Sequence, residues 1–148
     1  MTKNDTVESI ITAKENHELQ MKKIEDAMDG VEIQEPTALN KMECDFGKWL
    51  YSKEYHMKEI LGSQFYIALD VEHEKWHNEY AKIYKILFQE NHKKGLFSKL
   101  LGKHKIDPLE LDKVKLYYAE LQITSEKLLK VLGSCQRRII ALPESKFH

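Results

Sequence analysis

The chain has 148 residues and a formal net charge of −1, so it has no general electrostatic attraction to nucleic acid or to an acidic membrane surface. Hydrophobic residues make up 42% and charged residues 32%, with six glycines and three prolines. This balance favours a single all-helical domain over residues 1–148. No signal peptide, membrane-spanning run or disulfide framework is evident, so we expect a cytoplasmic protein.

The first predicted helix covers residues 6–29. Asp5 is its expected N-cap, and Gly30 is the expected residue after its C-cap. His17 lies seven residues after Ile10, so the two share one face of the helix. The spacing therefore directs a first imidazole toward the core.

A connector at 31–40 precedes a short helix predicted within residues 41–51. Cys44 lies near the start of that helix, where the helix dipole favours the thiolate, the form that binds metals and reacts. The alternative is that Cys44 is simply a small buried hydrophobic residue. Taken alone, Cys44 leaves both interpretations open.

A loosely helical stretch at 52–62 leads into a long helix that Ser63 is expected to cap and that runs to about residue 91. His73 and His77 lie one turn apart on the apolar face of this helix. A single histidine there is usually a satisfied core residue. Two on adjacent turns are costly to bury unless both imidazoles bind one cation.

The rest of the chain is read as a basic connector at 91–107 and a C-terminal helix at 108–142. The connector either folds its leucines back onto the helices or docks on a membrane or partner. Apolar positions in the last helix alternate spacings of three and four, and Cys135 lies among them as a core residue.

The predicted fold is an all-α antiparallel four-helix bundle, with an additional short helix that carries Cys44. Its apolar seams could also support a homodimer.

The inward-facing histidines and the thiol make one candidate set. His17, Cys44, His73 and His77 provide three imidazoles and one thiolate, which is a complete tetrahedral ligand set for Zn²⁺. The remaining histidines fall in connectors or at the terminus and are expected to be solvated. They are His56, His92, His104 and His148.

Three blocks of the sequence carry a family resemblance. They read Ala13-Lys-Glu-Asn-His17, Cys44-Asp-Phe-Gly-Lys-Trp-Leu50 and Glu72-His-Glu-Lys-Trp-His77. Together, over about residues 7–90, they resemble the chemoreceptor zinc-binding (CZB) domain. The resemblance implies a bacterial zinc-binding sensory domain rather than an enzyme, often dimeric and attached to chemoreceptors or diguanylate cyclases. It also implies that zinc or an oxidant acts through the ligand cysteine, with chemotaxis or cyclic-di-GMP signalling as the output.

Two other functions are compatible with inward-facing histidines. A zinc hydrolase needs an open coordination position and a nearby general base, but helical phasing turns Glu72 and Glu74 away from the metal. A hemerythrin-like di-iron bundle needs more histidines and bridging carboxylates, for which Asp70 is the only candidate. Metal content separates these alternatives from a single-zinc site.

Overall fold

The computed structural model describes residues 1–90 and 106–147, which form helices and turns without any β-strand. The predicted all-α fold is therefore confirmed. Most of the predicted basic connector at 91–107 lies outside the described residues, as do His92, His104 and His148. Across the described ranges, no helix combines the length and apolar character needed to cross a membrane.

Five α-helices account for most of the described chain. They are α1 (Lys3–Met28), α2 (Asp45–Leu50), α3 (Met57–Leu61), α4 (Ser63–Tyr84) and α5 (Pro108–Ala141). α4 continues into a π-helical segment (Lys85–Glu90), and a 3₁₀ turn (Glu144–Lys146) follows α5. The predicted long helices are thus present, and the short helix begins directly after Cys44.

Contacts between α1 and α5 show that these helices run antiparallel. Lys3 Nζ, at the start of α1, donates to the Leu142 carbonyl just beyond the end of α5 at 2.8 Å. Near the other end of the pair, the Tyr118 hydroxyl of α5 donates to Glu25 of α1. The first and last helices of the described chain therefore lie side by side along their length.

α4 and α5 are antiparallel as well. Arg138, late in α5, lies 5.4 Å from the ring centre of Phe65, early in α4. The Thr124 hydroxyl of α5 lies 2.9 and 2.8 Å from the two carboxylate oxygens of Glu79. α1 and α4 must then run parallel to each other. The segment 29–62, which contains α2 and α3, therefore leads from the C-terminal end of α1 back to the N-terminal end of α4. The full four-helix arrangement stays a prediction.

Both ends of α1 are closed by local hydrogen bonds. The Thr2 hydroxyl accepts from the Asp5 backbone N–H at 3.1 Å, and Asp5 Oδ2 accepts from the Thr2 N–H at 2.8 Å, which forms a capping box. The prediction of Asp5 as N-cap is wrong, because Thr2 occupies that position and the helix begins earlier. At the other end, Gly30 has φ +88° and donates to the Ala27 carbonyl at 3.1 Å, as expected.

The start of α4 also differs from the prediction. Ser63 is the first helical residue rather than the cap, and no side chain caps this helix. Gly62 precedes it with φ +81°, a conformation that suits glycine because it lacks a Cβ. This glycine separates α3 from α4 and lets the chain turn into the long helix.

Buried side chains form two apolar clusters. The first includes Ile10, Leu69, Leu128, Leu132 and Cys135, and the second includes Ile24, Trp76, Tyr80, Val114 and Leu121. Cys135 is fully buried, which confirms its predicted place in the core. At the junction of the clusters lie four buried polar residues that we call the polar layer. They are His17, His73, His77 and Ser125.

Candidate metal centre

Cys44 holds its thiol at the start of α2. Its backbone is extended, with φ −75° and ψ 158°, and it is the N-cap residue of the helix. Its Sγ accepts the Gly47 backbone N–H at 3.2 Å and lies 3.4 Å from the Lys41 carbonyl oxygen. The predicted position of Cys44 near a helix N-terminus is confirmed, and the sulfur takes the place that a serine or aspartate oxygen usually has.

His73 of α4 is held between the two ends of α2. Its Nε2 is 3.2 Å from Cys44 Sγ, and its Nδ1 is 3.1 Å from the hydroxyl oxygen of Tyr51, the C-cap residue of α2. The Phe46 ring packs on the imidazole with 4.7 Å between ring centres. Both ring nitrogens therefore have partners that come from one short helix.

Tyr51 is in turn held by an ion pair. Its hydroxyl donates to Asp70 Oδ1, which also accepts from Lys41 Nζ at 2.9 Å. Burial alone would raise the pKa of Asp70, but the bonds from Tyr51 and Lys41 outweigh it and lower that pKa. Asp70 is therefore a carboxylate at neutral pH, and it can only accept hydrogen bonds.

His77 exposes one nitrogen to the interior of the site. Its Nδ1 lies 2.9 Å from the Leu39 carbonyl oxygen, which can only accept, so this nitrogen carries the proton. Its Nε2 is buried and has no hydrogen-bond partner within residues 1–90 and 106–147. A buried, unpartnered acceptor costs free energy unless something binds it.

The structure brings three of the four predicted site residues together. One donor atom from each of Cys44, His73 and His77 lies within 4.8 Å of the others. A thiol and two imidazoles are ligands that soft and borderline metals prefer, and the unpartnered His77 Nε2 provides an available lone pair. These three side chains could therefore hold a metal ion.

His17 lines the same small cavity as those three residues but is not part of their close group. It is buried, and its Nε2 lies 2.5 Å from Ser125 Oγ on α5. Its ring packs edge-on against Trp76, with 5.4 Å between ring centres. A ligand role for His17 stays a prediction.

The other candidate residues lie away from this centre. The His56 side chain is 62% exposed, which agrees with its predicted solvation. Asp70, the expected carboxylate of a di-iron site, is bound by Lys41 and Tyr51 and does not join the metal-ligand group found among the described residues. Glu74 is exposed and pairs with Lys41 at 3.8 Å, consistent with its predicted outward direction.

Sequence reasoning missed two groups that hold the imidazoles, Tyr51 and the Leu39 carbonyl. Tyr51 follows Cys44 by seven residues, a spacing that places two side chains on the same side of a helix and could have indicated a shared partner. No side-chain pattern identifies a backbone carbonyl such as that of Leu39. Its role follows only from the path of the connector past α4.

Burial keeps the titratable groups of the centre uncharged at neutral pH. It lowers the pKa of His17 to about 4, of His73 to about 3 and of His77 to about 4, and the neighbouring His77 lowers those of His17 and His73 further. Burial also raises the pKa of the Cys44 thiol, and the Asp45 carboxylate adds to this effect. The Gly47 N–H opposes the shift without reversing it, so burial outweighs the helix N-terminus that was expected to favour the thiolate.

A comparison of the sequence with protein families found a match that includes the four candidate ligands and the segments between them. The family model described as "Chemoreceptor zinc-binding domain" matches residues 17–84. Residues 17–84 belong to the chemoreceptor zinc-binding domain family. This confirms the resemblance drawn from the three sequence blocks, and the matched range runs from His17 past His77. Comparison with curated proteins and with solved structures gave no match.

Gly47→Ala should disrupt the centre through the backbone. A Cβ at this position would lie 1.7 Å from the Lys41 carbonyl oxygen, so either α2 or the Lys41 backbone must move. We expect a loss of about 2–4 kcal/mol in the free energy of unfolding and weaker metal binding, because Cys44 shifts with α2. Urea unfolding and a zinc titration measure the two effects.

Gly30→Ala is the matched control for this substitution. Gly30 has a positive φ, which Gly47 does not, but a Cβ there meets nothing within 4 Å, and the residue lies just beyond the C-terminal end of α1. It should cost about 1 kcal/mol through backbone strain and leave metal affinity unchanged. If Gly47→Ala kept normal metal affinity, the close fit of α2 against Lys41 would not be what positions the thiol.

The stability of the metal-free protein should fall as the pH drops from 6.5 toward 4. Histidines of the unfolded chain bind protons below the ordinary pKa of 6.5, whereas folded His17 and His77 do so only near 4. The unfolded state then holds more protons, so acid favours it, by up to about 1.4 kcal/mol per histidine and pH unit.

Urea unfolding at pH 7.0, 6.0 and 5.0 with a chelator present measures this slope. His77→Gln should make it shallower, because it removes one of the buried imidazoles with a lowered pKa. Equal stability at pH 7.0 and 5.0 would show that the buried imidazoles accept protons without opening the fold.

Proposed function

We propose that this chain is a zinc-dependent sensory domain that binds one Zn²⁺ through Cys44, His73 and His77, with His17 as the fourth ligand. The observation that carries the proposal is the group of three donor atoms within 4.8 Å of one another. The unpartnered, buried Nε2 of His77 supports it. Four protein ligands close a tetrahedral site and leave no position for substrate, so the domain regulates rather than catalyses.

The nature of the donors favours zinc over iron. The group found among the described residues has one sulfur and two nitrogens and contains no carboxylate. Di-iron bundles bridge their metals with carboxylates, and Asp70 is already engaged by Lys41 and Tyr51. Zn²⁺ accepts mixed sulfur and nitrogen ligands in tetrahedral geometry and undergoes no redox change.

A signal can act on this site through the sulfur. The ligands come from separate elements, with Cys44 on α2, His73 and His77 on α4, and His17 on α1. When zinc is bound, the Cys44 thiolate is a nucleophile toward an oxidant such as hypochlorous acid. The sulfur attacks the oxidant, becomes a sulfenic acid as chloride leaves, and loses its strength as a ligand. The link from α2 to α4 through the metal would then be lost, which leaves the contacts of Phe46 and Tyr51 with His73 to hold the two helices together.

The signalling role of the domain is inferred from its family, because the metal centre by itself does not indicate a partner. We infer a cytoplasmic bacterial signalling role, in which residues 1–148 form one domain that pairs with a second copy. The partner is a chemoreceptor or a diguanylate cyclase, and the signal is either zinc itself or an oxidant. The exposed apolar residues of α5, Leu116 and Ile123 among them, are available for such contacts.

The two cysteines provide a matched test of the ligand role. Cys44→Ala should lower zinc affinity by at least about 100-fold, because it removes the only sulfur donor of the group. Cys135→Ala should cost some stability, since Cys135 is fully buried, but should leave zinc binding intact. Metal content after dialysis and competition with a chromophoric chelator measure both variants.

One equivalent of zinc in the wild type and in Cys135→Ala, but not in Cys44→Ala, supports the proposal. Two equivalents of iron, or unchanged zinc affinity in Cys44→Ala, would exclude a site that uses this thiol.

The histidines His17 and His56 provide a second matched pair. His17→Ala should weaken zinc binding about 10-fold or more, since three protein ligands remain and water completes the shell. His56→Ala should have no effect, because its side chain lies in solvent. Cobalt substitution reports the ligand set through the positions and intensities of its d–d bands, and a His17→Ala spectrum identical to that of the wild type would exclude His17 as a ligand.

A further inference from the structure

The geometry assigns a positioning role to Tyr51. We propose that its hydroxyl, oriented by Asp70, fixes the tautomer of His73, with the proton on Nδ1, and thereby directs the Nε2 lone pair toward the metal. Tyr51 itself does not bind the metal. The inference rests on the proposed function where it concerns zinc. The protonation state of His73, however, can be measured without zinc.

The donor and acceptor roles around the Tyr51 hydroxyl support this assignment. The hydroxyl has one proton, which it donates to Asp70 Oδ1. Asp70 is a carboxylate held by Lys41 Nζ at 2.9 Å, so it cannot donate in return. The hydroxyl oxygen can then only accept from His73 Nδ1, at 3.1 Å. His73 must therefore carry its proton on Nδ1, which leaves the Nε2 lone pair facing Cys44 Sγ at 3.2 Å.

The two imidazoles of α4 reach the same tautomer by different means. His77 donates its Nδ1 proton to the Leu39 carbonyl, an acceptor that cannot reverse its role. His73 donates to a phenol, which can rotate and become a donor if Asp70 is absent. The tautomer of His73 therefore depends on the Lys41–Asp70 ion pair, whereas the tautomer of His77 does not. Such outer partners of a metal-bound histidine orient the ring and raise its basicity.

The short length of α2 links this positioning to the thiol. Cys44 and Tyr51 flank a helix of six residues, Asp45–Leu50, and contact opposite sides of the same imidazole. One short helix thus positions the sulfur donor and the nitrogen donor together. The Tyr51 ring is also held from outside by Lys41, 5.4 Å from its centre.

Nitrogen-15 NMR of the imidazoles in the full-length, metal-free protein at pH 7.5 tests the assignment directly. In the wild type, His73 and His77 should both show the Nδ1–H form. Tyr51→Phe removes the acceptor but keeps the ring, so His73 should shift toward the Nε2–H form, in which it can donate to the sulfur of Cys44. Asp70→Ala should cause a similar shift, because it removes the acceptor of the Tyr51 hydroxyl, and the phenol is then free to donate to His73. His77 should be unchanged in both variants.

Tyr66→Phe is the matched control. Its ring lies edge-on to that of Tyr51 with 6.4 Å between centres, so it removes a neighbouring hydroxyl from the same environment. It should leave the His73 signal as in the wild type. An unchanged Nδ1–H form of His73 in Tyr51→Phe would overturn the proposal, whatever happens to zinc binding.

Zinc affinity provides the second measurement. Tyr51→Phe should weaken binding about 10- to 100-fold, as loss of an outer-shell partner commonly does, and Tyr66→Phe should change it less than about twofold. Weaker zinc binding without a change of tautomer would mean that Tyr51 only supports the fold, which also overturns the proposal. A wild type that binds no zinc but shows the tautomer change would sink the zinc function and leave the positioning role standing.

Discussion

The burial of two neutral imidazoles one turn apart on α4 is the constraint that shapes the rest of this structure. His73 and His77 are almost fully buried, so folding removes most of the water from around their ring nitrogens. Their ring centres lie 4.7 Å apart, so charging both would add repulsion to the desolvation cost. The fold must therefore supply hydrogen-bond partners for neutral rings. The one ring nitrogen of the pair without such a partner among the described residues, Nε2 of His77, keeps a lone pair that could bind a metal.

The segment between α1 and α4 supplies those partners. From this segment come the Leu39 carbonyl, the Cys44 thiol and the Tyr51 hydroxyl, all within hydrogen-bonding distance of the two imidazoles. Gly47 is what allows the first turn of α2 to lie against the Lys41 carbonyl closely enough for this. A segment that first looks like a connector is thus the part of the chain that builds the centre, and the long helices serve as its scaffold.

His17 and Ser125 extend the polar layer to the other two long helices. Their contact joins α1 to α5 at the junction of the two apolar clusters. Under the proposed function, a metal that recruits His17 competes with Ser125 for the same imidazole. Occupancy of the centre and the packing of α5 would then depend on each other, which is how a site buried in the bundle could influence the surface of the last helix.

Much of the local structure was determined by the sequence alone. The spacing of apolar residues predicts three long helices, the inward direction of His17, His73 and His77, and the core position of Cys135, because each depends only on the periodicity of an α-helix. Gly30 likewise marks the end of α1, since a positive φ suits glycine. The N-cap of α1 was harder to predict, because Thr2 and Asp5 are both favourable N-cap residues. The choice between them depends on whether residues 3–5 are helical, as they are in the structure.

Which groups contact one another depends on the packing of the elements and could not be predicted from helical periodicity. That Cys44 reaches His73, that the Leu39 carbonyl holds His77, and that Tyr51 stands between His73 and Asp70 all depend on how residues 29–62 cross α4. The parallel course of α1 and α4 also has no signature in helical periodicity. Periodicity records which face of an element is buried, but it carries no information about the distance between residues on different elements.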